Sequence, residues 1–178
     1  MNNAINNKLQ IEWEHISKDL IRSLSAIKPE DFDRIPFEGS WTAGQLAEHL
    51  DKAIGPEVLF GQVHTTERNP DEKVEAIQSI FLNFDIKMKS PDFIRPTETV
   101  HQQDQLIASL EMKLSRVTEA INTLDLSETC DDFNIPVLGE FTRLEFITLF
   151  ITHTQRHVRQ LHNIAEKLKN TPATISDR

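Results

Sequence analysis

Along most of its 178 residues this chain repeats apolar side chains at alternating spacings of three and four. That period puts them on one stripe of an α-helix, and a chain with several such stripes must pack helix against helix to bury them. Leu9, Trp13, Ile16, Leu20, Leu24 and Ile27 form the first stripe. Pro29 cannot continue the hydrogen-bond ladder, so the spacing predicts a first helix over residues 4–28. A second helix starts at Thr42 and Gln45, whose spacing lets two side chains satisfy orphan amides reciprocally, with Trp41 and Leu46 as the flanking apolar staple. Its face runs through Leu46, Leu50, Ala53 and Ile54 to a kink or break at Gly55-Pro56. Val74, Ile77, Phe81, Phe84 and Met88 predict a short accessory helix before Ser90-Pro91. A third long helix carries Val100, Ile107, Leu110, Leu114, Val117, Ile121 and Leu124, from near Thr97 or Thr99 to near Asp125. Residues 125–141, which include Pro136 and Gly139, make a connection longer than the ~2–8 residues usual in bundles, long enough to cover a site. The last helix opens on a second capping box, Thr142 with Glu145, flanked by Phe141 and Phe146. Its stripe is Leu144, Ile147, Ile151, Thr154, Val158, Leu161, Ala165 and Leu168.

The fold class that follows is all-α: four long amphipathic helices with a short accessory helix, a four-helix bundle over residues 1–170, and a polar tail over residues 171–178. One domain suffices, since domains commonly run to roughly 100–200 residues. No apolar run approaches the ~18 residues of a membrane span. The N-terminal MNNAINNKLQIEWEH has neither the basic nor the apolar region of a signal peptide, so the expected location is cytoplasmic. A formal charge of −9 with scattered Lys and Arg argues against a nucleic-acid partner, because phosphate binding needs clustered cations. The single cysteine, Cys130, supports neither an internal disulfide nor a cysteine zinc site and reads as a loop thiol. Leu149, Phe60 and Ile80 fall outside one clean stripe and suit an exposed contact for a homodimer.

Seven histidines are present, and only His153 and His157 are paired one helical turn apart, where both rings share a face. At about 100° per residue, Arg159, Thr152, Asn163, Arg156 and Gln155 fill the polar arc of the last helix. The two histidines fall beside Phe146, Phe150 and Ile164 instead. An imidazole there needs a hydrogen bond or a metal to offset its desolvation. His49 sits at the margin of the Leu46, Leu50 and Ala53 face and points to the same interior if the two helices pack together. Such pairs also occur on helices that bind nothing, so spacing alone leaves ligands and packed imidazoles as two open readings. If the three rings meet, nitrogen ligands favour Zn²⁺ or Ni²⁺ over Mg²⁺ or Ca²⁺, and three protein ligands leave a coordination position open. His15 is expected to border the core near Trp13, while His64, His101 and His162 read as surface or packing residues.

Two stretches, WTAGQLAEHL from Trp41 to Leu50 and IPVLGEFTRLEFITLFITHTQRHVRQL from Ile135 to Leu161, resemble the signature regions of the DinB-like superfamily, including its YfiT-type metal-dependent hydrolases. The resemblance implies an up-down-down-up four-helix bundle whose metal is held by one histidine of the second helix and two of the last. His49, His153 and His157 stand at those motif positions. The family's frequent His-Pro-x-Leu-Gly loop is here Ile135, Pro136, Val137, Leu138 and Gly139, a departure that removes the loop histidine.

An open divalent site supports more than one chemistry. The resemblance implies transfer of a low-molecular-weight thiol to a small-molecule electrophile, and this is the preferred expectation. Metal-activated water would instead give a hydrolase, and a site closed by a fourth ligand would mark a non-enzymatic, stress-associated binding protein with a structural metal. No catalytic acid or base is assigned: Glu48 points about 100° away from His49 on an ideal helix. Glu57, Asp104 and Gln160 are candidates to support the ligands, and Arg156 and Arg159 are expected to stay solvated on the outer face.

Overall fold

In the computed structural model, which describes residues 3–135 and 138–170, the first apolar stripe folds as α1 (Asn3–Ser25). Trp13, Leu20 and Leu24 are fully buried along it. The helix stops short of the expected residue 28, and its end is held by a distant side chain. Gln103 Nε2 donates to the carbonyls of Leu24 and Ile27, both at 2.9 Å, satisfying groups that have no donor within the helix. Pro29 then opens a 3₁₀ turn, Pro29–Asp31.

The capping box of α2 (Ala43–Ala53) forms as expected: the Gln45 amide donates to Thr42 Oγ1 and the Thr42 amide to Gln45 Oε1, each at 3.1 Å. After the break at Gly55-Pro56 comes a single turn, α3 (Glu57–Phe60). The accessory helix α4 (Val74–Phe81) is shorter than its apolar pattern, and Phe84 and Met88 are exposed. Arg156 explains the stop. Its guanidinium donates to the carbonyls of Phe81, Asn83 and Ile86, capping the helix and turning the chain. Arg156 is therefore not the solvated outer residue expected, although Arg159 is exposed. Thr152, also placed on the polar arc, is buried and donates to the Thr148 carbonyl.

Helix α5 (Gln103–Thr123) begins later than Thr97 or Thr99, and Val100 is exposed rather than part of the stripe. The preceding residues are held out of helical geometry by carboxylates from elsewhere: the Thr97 amide donates to Glu48 and the His101 amide to Asp33. A small antiparallel sheet is added to the helical architecture, β1 (Val63–His64) against β2 (Thr129–Cys130), with Val63 opposite Cys130. Cys130 is consequently fully buried, and burial pushes its thiol up to about 11, so it is a strand thiol in the core rather than the loop thiol expected. The last helix, α6 (Arg143–Asn170), begins beside this sheet. The expected tail 171–178, and Pro136 and Val137 of the preceding loop, lie outside the described residues.

Cross-helix bonds set the directions. Trp13 Nε1 donates to Leu114 O while Gln103 meets Leu24, so α1 and α5 are antiparallel. His101 meets Glu48 while Ser109 and Lys113 meet Asp51, so α2 and α5 run parallel. Ser23 pairs with His162 and Arg34 donates to Leu168 O, which makes α1 and α6 parallel. The order is up-down-down-up, with α1 and α2 each packed against both α5 and α6. Parallel α2 and α5 require a long crossover, and α3, β1 and α4 are built into it, with α4 laid against α6.

At the start of α6 the second capping box is also formed, the Thr142 amide donating to Glu145 Oε2 and the Glu145 amide to Thr142 Oγ1. Glu145 is fully buried and receives Arg68 through both guanidinium nitrogens, at 2.7 and 2.6 Å. This ion pair ties the crossover to α6.

Candidate metal centre

The alternation of apolar residues turns one face of α2 and one face of α6 toward each other, and His49 comes from the first, His153 and His157 from the second. Their Nε2 atoms converge. His49 Nε2 lies 3.2 Å from His153 Nε2, which lies 2.9 Å from His157 Nε2. The ligand atoms of all three residues fall within 4.8 Å of one another. Bonds of ~2.0–2.1 Å at tetrahedral angles would hold nitrogens about 3.3 Å apart, close to the two spacings found.

Neighbouring acceptors orient the rings. His49 Nδ1 donates to the Ile94 carbonyl at 2.8 Å, and His157 Nδ1 donates to Gln160 Oε1 at 3.1 Å. With the proton on Nδ1, each ring turns an Nε2 lone pair inward. His153 Nε2 lies within hydrogen-bond reach of both lone pairs, and one proton there serves only one of them. A shared cation satisfies all three nitrogens, which is the fit expected of a metal-ligand set.

Charge selection points the same way. Burial lowers His49 below the usual imidazole range against the opposing Ile94 bond. Burial, and then the neighbouring His157 and His49, hold His153 well below it. Burial, and then His49, bring His157 to about 3. The rings are thus neutral near pH 7, the form that binds metal.

The three rings open onto a cavity of about 1060 Å³. Trp41 stands 5.0 Å from the His49 ring and Phe81 5.6 Å from the His153 ring, centroid to centroid. The long connection after α5 does cover part of this space, through Asp132, Phe133, Ile135 and Leu138. Ile80 and Leu149 line the cavity, and the Arg116 guanidinium lies 3.6 Å over the Phe60 ring, so these three side chains do not form the exposed strip expected for a dimer contact.

The remaining candidates separate. Gln160 supports His157, whereas Glu57 lines the cavity and Asp104 is exposed on α5. Glu48 is turned away from the histidines toward Thr97, Lys52 and His101. Burial would raise its carboxyl, but those donors outweigh it and hold the group at about 2. His15 is exposed, not at the core border. His64 pairs with Asp131 and His162 with Ser23. The His101 side chain, 5% exposed, bridges Asp33 and Glu48 at 2.6 and 3.1 Å, a role its sequence position did not suggest. Sequence reasoning also missed three partners of the site. Trp41 was legible only as a capping staple, Phe81 only as a stripe residue, and the Ile94 carbonyl carries no side-chain signal at all.

Comparisons with known proteins bear on family and fold. The family described as the DinB superfamily matches residues 12–161. The Bacillus subtilis (strain 168) protein YuaE is 23% identical over 150 residues, covering 82% of this chain and 90% of that protein. Among solved structures, YfiT from Bacillus subtilis aligns with a TM-score of 0.57 and 13% identity, over 95% of this chain and 90% of its own. It is described as "a probable metal-dependent hydrolase with an unusual four-helix bundle topology". At that identity the likeness is one of fold.

Proposed function

The chain belongs to the DinB superfamily, and from that premise we propose that it is a metal-dependent enzyme acting on a small molecule, with a low-molecular-weight thiol as its nucleophile. His49, His153 and His157 would hold one divalent transition ion, Zn²⁺ or Ni²⁺, with a coordination position open to the cavity. The observation that carries this reading is the convergence of three neutral, Nε2-directed imidazoles on the wall of a cavity large enough for an organic ligand. Such an ion, when bound, lowers the pKa of a thiol or water that reaches it and so supplies a nucleophile near neutral pH.

The chain's own residues do the rest. Ile94 and Gln160 keep the rings in register, and Trp41 and Phe81 exclude water from them, which strengthens local electrostatics. In the transfer, the thiolate sulfur attacks an electrophilic carbon, a C–S bond forms, the leaving group departs with its electron pair, and the thiol proton passes to solvent. Thiol chemistry suits this lining better than hydrolysis. A hydrolytic step needs a general acid or base within reach of the leaving group. Among the described residues, the carboxylates of the cavity lining are Glu57, which is exposed, and Asp132, which accepts the Gln62 amide. Hydrolysis remains the second reading, supported by the description of YfiT.

Elemental analysis of protein purified without a histidine tag tests the site, with His49→Ala beside it. About one equivalent of metal in the wild type and none in the variant is expected; equal metal in both overturns the assignment. Thiol consumption with a panel of electrophiles then separates the two chemistries. Loaded protein that hydrolyses esters or amides while leaving thiols untouched would replace transfer by hydrolysis.

A further inference from the structure

Resting on the enzyme reading above, we propose that the second reactant is a bulky apolar molecule bearing an anionic group, with its body against the aromatic wall and its anion at Lys87 and Lys89. Size supports this first. The cavity, at about 1060 Å³, slightly exceeds the ~300–1,000 Å³ typical of sites for drug-sized ligands, which leaves room beside a thiol.

The wall sets the body's chemistry. Trp41, Ile80, Phe81, Phe146, Leu149 and Phe150 line the interior, and apolar surface predominates over polar surface in the lining. At the rim, Phe93 and Phe133 come from segments 40 residues apart in sequence numbering, by the difference of their positions, yet their ring centroids are 6.0 Å apart. They remain 65% and 40% exposed, so this aromatic contact faces the entrance rather than the core. Large exposed apolar surface at a concave site marks a place for an apolar ligand.

Charge sets the anion. The chain carries −9 overall, yet among the described residues its cavity is lined by four cationic side chains, Lys52, Lys87, Lys89 and Arg156, against the two carboxylates of Glu57 and Asp132. Lys52 is neutralised by Glu48 at 2.9 Å, and Arg156 is engaged by the carbonyls after α4. Lys87 and Lys89 have no ion-pair partner among the described residues. In a strongly acidic protein, two unpaired lysines on the lining of an apolar cavity favour a negatively charged group on the ligand.

A matched pair of fluorescent probes tests both halves: N-phenyl-1-naphthylamine, which is neutral, and 1-anilinonaphthalene-8-sulfonate, which adds one anionic group to the same ring system. Zinc-loaded wild type is expected to bind both at low ionic strength, the sulfonate about tenfold more tightly. The double variant Lys87→Gln, Lys89→Gln should bring the two affinities within about twofold, with the neutral probe unaffected. Leu149→Trp, which fills the cavity, should weaken both about tenfold or more, whereas Ile11→Trp on exposed α1 should behave as wild type. If Leu149→Trp loses its helical circular dichroism, Ile80→Trp on another part of the wall replaces it.

Absence of neutral-probe binding, or wild-type binding by a folded cavity-filling variant, overturns the apolar body. Equal affinities in the wild type, or a sulfonate preference unchanged in the lysine variant, overturns the anion. Metal content is measured in parallel on the same wild-type samples. A wild type that binds probes as expected but no metal would sink the enzyme reading and leave the ligand class standing. Metal and thiol turnover without probe binding would do the reverse.

Discussion

Replacing Arg68 by methionine removes the countercharge from a carboxylate that has no access to solvent. Glu145 is 0% exposed, and Arg68 donates to both of its oxygens. The amides of Lys73 and Thr142 supply the other two donors, at 2.8 and 2.9 Å. Loss of one partner of a buried pair costs about 3–5 kcal/mol, because the other charge stays buried without compensation. Two features place this case at the low end. The remaining amides still solvate the carboxylate, and the Arg68 side chain is 23% exposed, so water can partly replace it. An expected loss of about 3 kcal/mol corresponds, at ~2–4 °C per kcal/mol for a chain of this size, to a melting temperature lower by about 6–12 °C. Arg68→Met combined with Glu145→Gln removes the stranded charge and should recover about half of that loss. Arg68 also donates to the carbonyls of Asn69 and Glu140. Those bonds vanish in the single and the double variant alike, so the comparison reads the stranded charge against the one amide N–H that the glutamine NH2 leaves without an acceptor. The assay is reversible thermal unfolding at pH 7, followed by circular dichroism, on wild type, both single variants and the double. A loss under about 1 kcal/mol in Arg68→Met, or a double variant less stable than that single one, would refute the stranded-charge argument.

Other outcomes follow from the same geometry. Zinc at about one hundred times its dissociation constant should add about 2.7 kcal/mol, or about 5–11 °C, to the wild type and nothing to His153→Ala; equal shifts in both would count against shared ligation. In the metal-free protein the folded histidines titrate below their unfolded values, so the unfolded chain binds more protons in acid and stability must fall as pH drops. That loss should begin near the unfolded imidazole value of about 6.5 and continue toward about 3, where His157 itself protonates. Urea midpoints measured across that range should show a shallower slope for His157→Gln, and an unchanged slope would sink the assignment. Cys130, buried with its thiol pushed up to about 11, should resist an aromatic disulfide reagent at pH 8 until the chain is unfolded, and rapid native labelling would contradict its burial.

How much of this was legible in the residues depends on the range of the interaction involved. The stripes of α1, α2, α5 and α6 and both capping boxes, Thr42 with Gln45 and Thr142 with Glu145, were readable because they link residues three or four apart. So was the shared face of His153 and His157. Helix ends were read less well, since each was decided by a partner remote in sequence: Gln103 for α1, Arg156 for α4, and Glu48 with Asp33 for the start of α5.

What the amino-acid order determined by itself was therefore periodic and local: helices, the capped starts of α2 and α6, and which faces are apolar. Tertiary structure alone decided that α2 runs parallel to α5, that His49 Nε2 meets the pair on α6, that Ile94 and Gln160 turn the rings inward, and that Glu145 is buried against Arg68. The physical reason is that a helix satisfies its interior backbone groups within four residues, while its ends, its ion pairs and any cluster of imidazoles take their partners from wherever packing brings another segment close.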